Sequence, residues 1–320
     1  MILYQDTPSI EGRQLIKALW RIDAPLFENP IGFSLDPIVD VDSSMEYKEL
    51  AGGFRIPVLG LGTWRMGWRQ TADTSRDGEE IAAIRAAIDL GLTHIDTAEY
   101  YGAGHAEELV GEAIQPYDRR SLFITTKVWR THLRYDDLIS SIKASLKRLA
   151  VDYVDLYLVH WPNPEVPLQE TMRALEHCVD EGYTRFIGVS NFSASLLAEA
   201  QAGLRDHRLV ADQVKYSLME QAPRRGLLPY CEKNDVMLIA YTPLAKGRLA
   251  KPGHSVLDAL AEKYGRTQAQ VSLNWLISQE KVIAIPKSSR REHAKDNAGA
   301  ISWRLSDEDW ETLSEAFRRP

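Results

Sequence analysis

Glu79-Glu80-Ile81-Ala82-Ala83-Ile84-Arg85-Ala86-Ala87-Ile88-Asp89-Leu90-Gly91-Leu92-Thr93-His94-Ile95-Asp96 is the stretch that decides the fold. Its first part places Ile81, Ile84, Ala87 and Ile88 on one face of a helix. Gly91 is expected to end that helix, because glycine readily takes the left-handed conformation of a helix C-terminus. Thr93–Asp96 then reads as a short strand that stops at a carboxylate.

The same unit recurs on both sides. Upstream, Val58–Gly62 is a short apolar strand, and Tyr47–Leu50 and Phe54–Pro57 flank Gly52-Gly53, a hairpin signal. Downstream, helices are expected at His105–Ile114, Tyr135–Leu149, Pro167–Glu181, Ser193–Ala202 and Arg225–Asn234, followed by two within Ser255–Gln279 and one at Arg290–Ala298. Strands are expected at Leu122–Lys127, Val154–His160, Thr184–Ser190, Val210–Val214, Val236–Tyr241 and Val282–Pro286. Ser306–Phe317 is a final helix, with Ser306 as N-cap and acids in its first turn. The strands are apolar on both faces, the mark of a parallel sheet covered on both sides. An open doubly wound sheet alternates in this way too. Eight βα units without a break favour closure, so the expected fold is a (β/α)8 TIM barrel with an N-terminal β-hairpin and an extra C-terminal helix.

The chain has 320 residues, 44% of them apolar and 26% charged, enough to bury a sizeable core. Its net charge of -7 argues against nucleic acid as a partner. No apolar run reaches the roughly 18 residues of a membrane span, and no signal peptide is visible. Cys178 and Cys231 stand far apart without a CxxC or Cys/His cluster, so neither a disulfide framework nor a metal site is expected, and a reducing cytoplasm fits. Residues 1–44 differ from the rest: they are rich in proline and acids and weak in period. They are read as a non-catalytic extension ahead of Met45, with 45–320 as the barrel; an arm packed on the barrel or on a second subunit is the alternative.

The dinucleotide fingerprint of Rossmann folds is absent. Gly60-Leu61-Gly62-Thr63-Trp64-Arg65 and Gly102-Ala103-Gly104-His105-Ala106-Glu107 each lack the third glycine. The chemistry is expected instead at the C-terminal ends of the barrel strands. Those ends read Asp96, Lys127, His160, Ser190-Asn191, Gln213, Tyr241 and Lys287-Ser288. Asp96, Lys127 and His160 come from neighbouring strands, and Tyr101 sits in the loop after Asp96. A lysine ammonium beside a phenol is expected to lower its pKa and so make a proton donor. Asp96 keeps the lysine charged and aimed, and His160 is placed to hydrogen-bond a carbonyl oxygen. A proton donor with a carbonyl-orienting group, lacking a nucleophile, suits addition of hydride to C=O. Taken singly, the three strand-end charges also fit a structural ion cluster. His94 reads as a structural histidine, Tyr100 as packing, and His105 as a helix cap. Ser190 and Asn191 also fit an N-cap for the helix at Ser193.

From about Met45 to its end the chain resembles the aldo-keto reductases, especially the short prokaryotic members similar to 2,5-diketo-D-gluconate reductases. The resemblance is carried by Ile56–Trp64, Gly91–Ala98, Tyr101-Gly102, Ile124–Trp129, Asp155–Pro162, Gly188–Phe192, Gln213 and Ile285–Ser288. It implies a catalytic tetrad of Asp96, Tyr101, Lys127 and His160, and it picks Tyr101 over Tyr100. It implies that Ser190, Asn191 and Gln213 hold a nicotinamide carboxamide, that Tyr241 stacks on the ring, and that the loop Thr242–Arg248, with Thr242 and Leu244, covers the pyrophosphate. Gly62, Thr63 and Trp64 border the cofactor. Lys287, Ser288, Arg290, His293 and Asn297 face the adenosine half. Trp64, Trp129 and Trp161 wall the substrate pocket.

His293 replaces the arginine usual in the family six residues after this lysine. Arginine offers a permanent charge and a flat face, whereas histidine is mostly neutral at pH 7. Lys287, Arg290 and Arg291 remain, so NADPH is the expected cofactor and NADH a possible one. The chain stops just after its last helix and the loop after Trp129 is short, which predicts an open pocket for small aldehydes, dicarbonyls or sugars, on a monomer or weak dimer. Two competing functions are a non-catalytic cofactor-binding regulatory subunit of the same fold and a barrel isomerase or lyase.

Overall fold

Two short strands, β1 (Tyr47–Glu49) and β2 (Arg55–Pro57), open the part of the chain that the computed structural model describes, residues 45–318. The expectation for residues 1–44 lies outside the described residues. The strands pair antiparallel around Gly52 and Gly53, whose φ values of 83° and 82° are those of a tight hairpin turn.

Eight strands then follow in sequence order in one parallel sheet: β3 (Gly60–Gly62), β4 (His94–Asp96), β5 (Phe123–Val128), β6 (Val154–Val159), β7 (Thr184–Ser190), β8 (Leu209–Lys215), β9 (Met237–Tyr241) and β10 (Val282–Ile285). The two edges meet. The Ala284 amide donates to Val58 O at 3.1 Å and the Gly62 amide to Pro286 O at 3.1 Å, which closes the barrel. Closure requires glycine at position 62, since a Cβ there would stand 2.9 Å from Ile285 O. β3 is shorter than the sequence suggests: Val58 and Leu59 meet β10 only through isolated contacts across this seam.

Helices α1 (Asp77–Asp89), α2 (His105–Ile114), α3 (Tyr135–Leu149), α4 (Leu168–Asp180), α5 (Ala194–Ala202), α6 (Leu227–Asn234), α7 (Ser255–Tyr264) and α8 (Gln268–Ile277) connect the strands, and α9 (Arg291–Ala298) and α10 (Asp307–Ala316) follow the last of them. The side chain of Ser306 accepts from the Asp309 amide, as expected of its N-cap. α6 begins later than its sequence pattern because Ala222–Arg225 forms a separate 3-10 turn, split off by Gly226. Among the described residues no helix is long and apolar enough to cross a membrane.

Strand alternation separates two cores. Ile95, Ile124, Val128 and Val159 face the helices, while Phe123, Leu156, Leu158, Ile239, Ile283 and Ile285 fill the barrel. The hairpin plugs one end: Phe54, 0% exposed, meets the edges of Phe123 and Phe186 at 5.9 and 5.1 Å. Full burial of such a ring contributes about 1.5–3 kcal/mol. His94 lies in the same interior, donates to or accepts from Thr125 Oγ1 at 3.0 Å, and is pushed down to about 3 by burial. It is a neutral structural histidine. With one end sealed, solvent reaches the barrel at the other, where the strands finish.

Candidate active site

The period of two that sends Phe123 and Leu156 into the barrel also sends Asp96, Lys127 and His160 inward at the open end. Lys127 is 0% exposed and spends its ammonium on three acceptors: Asp96 Oδ1 at 2.6 Å, Thr97 O at 2.7 Å and the Tyr101 hydroxyl at 3.3 Å. Asp96 is held from behind. Its second oxygen accepts from Gln213 Nε2 at 2.7 Å, and its carbonyl accepts from the Thr63 amide and hydroxyl at 2.9 and 3.0 Å.

Burial disfavours the Lys127 ammonium, but Asp96 and Tyr101 together hold its pKa above the usual lysine value. Burial raises the Asp96 carboxyl against the pull of Lys127 and Gln213; the 2.6 Å contact marks it as the anionic partner. For Tyr101 the sequence predicts a lowered pKa. The structure reverses that sign: burial raises the phenol more than Lys127 lowers it, and Asp96 adds to the rise. Tyr101 therefore keeps its proton at neutral pH. Burial and then Lys127 push His160 well below 6.5, so its imidazole is neutral, with Nδ1 buried and unpartnered.

Around this group stands an aromatic wall. Trp64 meets Tyr101 at 4.8 Å, edge to face, and the Tyr101 and His160 rings are 5.6 Å apart. Trp129 meets His160 at 5.1 Å. Trp161 follows His160 directly and is 41% exposed at the rim. Sequence reasoning missed Tyr100 as part of this wall. It stacks on Trp129 at 3.7 Å and 13°, lies parallel to Trp64 at 6.4 Å, and accepts from Gln70. Glu99 was missed too: its carboxylate accepts from the Trp129 amide at 2.6 Å and meets His132 at 3.0 Å, fixing the loop after β5. Alternation along the loop gives no signal for either residue.

Beyond the tetrad the polar strand ends form one network. Ser190 Oγ donates to Gln213 O at 2.7 Å, Asn191 Nδ2 donates to His160 O at 3.0 Å, and Tyr241 donates to Asn191 Oδ1 at 2.9 Å. The N-cap of α5 is Ser193 itself, which leaves Ser190 and Asn191 to this network. After Tyr241 the backbone turns left-handed at Thr242, Ala245, Lys246 and Gly247 (φ 54°, 47°, 60° and 84°), while Leu244 packs on the core. Lys287 pairs across the seam with Gly62. Its ammonium is pulled below the usual value by partial burial and by Arg76 and Arg65, against Glu80. Ser288, 2% exposed, donates to Arg290 O at 2.7 Å; Arg290 is the N-cap of α9, His293 lies on its exposed face, and Asn297 is buried beneath. His105 is the first residue of α2 rather than its cap, which is Gly104; it bridges Asp77 and Glu108 at 2.9 and 2.8 Å.

A (β/α)8 barrel whose mouth holds a protonated phenol against a buried ammonium defines an oxidoreductase of carbonyl groups. The chain belongs to the aldo/keto reductase family, whose model matches residues 58–318. It is 36% identical over 275 residues to the methylglyoxal reductase YeaE of Escherichia coli (strain K12), covering 85% of this chain and 95% of that one. The crystal structure of the thermostable aldo-keto reductase Tm1743, in complex with the inhibitor epalrestat, superposes with a TM-score of 0.82 at 49% identity, over 85% of this chain and 100% of the other. An aldo-keto reductase from Klebsiella pneumoniae, solved with NADP and acetate, gives 0.79 at 37% identity, over 86% and 96%.

Proposed function

We propose that this reductase converts small aldehydes and dicarbonyls to alcohols with Tyr101 as the proton donor, and that methylglyoxal is among its substrates. The observation that carries the reading is the Lys127 ammonium shared between Asp96 and the Tyr101 hydroxyl. When bound, the reduced nicotinamide supplies the hydride. Everything else is the work of side chains. His160, neutral and beside Tyr101, donates a hydrogen bond to the carbonyl oxygen and aims it at the phenol. As that oxygen gains negative charge it becomes a stronger base than a phenolate, so a phenol with a raised pKa still gives up its proton. Lys127 then stabilises the phenolate that remains. Asp96 keeps the ammonium charged and pointed. Trp64, Tyr100, Trp129 and Trp161 line the space where the carbonyl's substituents lie.

The donor set at the rim suits a nicotinamide dinucleotide phosphate. Ser190, Asn191 and Gln213 offer amide and hydroxyl groups of the kind a carboxamide needs, and the half-buried Tyr241 offers a ring face. Left-handed backbone such as that at Ala245, Lys246 and Gly247 turns amide N–H groups toward an anion. Gly62, Thr63 and Trp64 border the same cleft. Lys287 and Arg290 stand in solvent, and Lys287 is crowded by Arg76 and Arg65, an arrangement that an anionic phosphate relieves. Ser288, His293 and Asn297 complete the adenosine side. NADPH is the preferred cofactor and NADH a weaker one; the protein acts as a monomer or weak dimer. The test is a carbonyl panel with NADPH and NADH on the wild type and Tyr101→Phe. Reduction that fails only in the variant supports the reading. Equal reduction by both, or a preference for NADH above about tenfold, contradicts it.

A further inference from the structure

Tyr101 opens a turn, Tyr101–Gly104, in which Gly102, Ala103 and Gly104 all have left-handed backbone, with φ of 59°, 54° and 95°. Ala103 takes that conformation against the clash of its Cβ with the chain. Such a run persists only where the surroundings over-determine it. Here it lies between two buried carboxylates. On one side Glu80, 3% exposed, accepts from the Gly67 amide at 2.7 Å. The Gly67 carbonyl fills the place a Cβ on Gly102 would take, and the Gly102 amide donates to Arg69 O at 3.0 Å.

On the other side Glu107, 0% exposed in the first turn of α2, accepts from Arg148 Nε at 2.6 Å and from Thr126 Oγ1 at 2.5 Å. Arg148 lies in the last turn of α3 and donates to Ser145 Oγ at 3.1 Å. Its Cδ and Nε lie 2.7 Å from where a Cβ on Gly104 would stand, so the guanidinium stem closes over the end of the Tyr101 turn. Thr126 is the neighbour of Lys127 on β5 and faces outward where Lys127 faces inward.

We propose that the ion pair of buried Glu107 with the partly buried Arg148 is a positioning device for the proton donor. It presses on Gly104, ties the start of α2 to the strand that carries Lys127, and so fixes the Tyr101 hydroxyl at hydrogen-bonding distance from Lys127. The proposal rests on the reading of Tyr101 as donor. A carboxylate buried this deeply is kept only with matched partners, and the planar fork of arginine sets a direction that a lysine does not. The three atoms nearest to a Cβ on Gly104 all belong to the Arg148 side chain. Glu107 and Arg148 touch no reacting atom; they act through Tyr101.

The test uses the purified full chain with NADPH and methylglyoxal, in wild type, Glu107→Gln and Arg148→Lys. Glu107→Gln is expected to lower kcat about 10- to 100-fold, as a displaced catalytic group does. KM and the NADPH dissociation constant, read by protein fluorescence, are expected to hold within about twofold. The solvent deuterium isotope effect on kcat should rise, because proton transfer becomes slower. Arg148→Lys keeps the charge and the fold; a smaller loss with the same rise in isotope effect is expected. If Glu107→Gln does not fold, Arg148→Lys decides alone. A purely architectural pair would lower kcat and NADPH-binding stoichiometry together and leave the isotope effect at its wild-type value, and that result overturns the proposal. So does wild-type kcat in both variants. Tyr101→Phe is run in parallel. If it retains activity, the donor reading has failed and the positioning role falls with it. If it loses activity while the other two behave as wild type, the positioning role falls alone.

Discussion

Around Asp96, Lys127 and Tyr101 each charge is buried and matched by a partner within hydrogen-bond distance. Around Lys287, Arg290 and His293 the side chains stand in solvent at the end of β10 and on α9. The two regions differ in what fixes them. In the first, taking any member away leaves an uncompensated group in a dry interior. In the second, a side chain can change at little cost to the fold. Position 293, where the resemblance implies an arginine, is a histidine in this chain.

The contrast predicts unequal sensitivity. Lys127→Met is expected to have the largest effect. It strands the Asp96 carboxylate and should cost about 3–5 kcal/mol of stability. It should also lower kcat about 10²- to 10⁴-fold through the loss of phenolate stabilisation. Thermal melting and steady-state reduction check both; a variant as stable as wild type would erase the difference between the regions. Substitutions at the exposed end should move affinity without moving stability. Lys287→Met is expected to weaken NADPH by about 1.5–3 kcal/mol, the worth of a hydrogen bond to a charged group, and NADH less. His293→Arg should tighten NADPH by a similar or smaller amount. Titration of both cofactors against each variant reads this out. Equal changes for the two would place these residues away from the 2′-phosphate.

The smallest effect concerns His105, at the start of α2. Burial lowers its pKa, but Glu108 and Asp77 outweigh that and hold it above 6.5. A raised histidine contributes stability that is present in full below the unfolded value and fades as pH climbs through the folded one. The melting temperature of wild type over His105→Gln should therefore be highest below about pH 6.5. It should shrink as the medium turns alkaline, a change worth at most about 1 kcal/mol for a pair this open. A difference that grows with pH would contradict the assignment.

The contrast also explains what the sequence made legible. α2 and α3 match their expected spans to the residue because left-handed Gly104 and Ala150 bound them. Asp96, Lys127 and His160 were visible because a polar residue closing an apolar strand is a one-dimensional signal. Tyr100 and Glu99 gave none, since loop side chains take their direction from contacts distant in sequence. Glu107 left a trace: it shares a helical face with Val110, Gly111 and Ile114, all buried, which marks a charge on the apolar side. The sign of the Tyr101 shift was not legible, because it depends on burial outweighing a neighbour's charge, and only the packed barrel sets the first.

The most direct test of the account is a single turnover. Wild type and Tyr101→Phe are loaded with NADPH, mixed with methylglyoxal, and the oxidation of the cofactor is followed. The account predicts that both bind NADPH alike and that the variant oxidises it about 10²- to 10⁴-fold more slowly. Oxidation by Tyr101→Phe at the wild-type rate would contradict it.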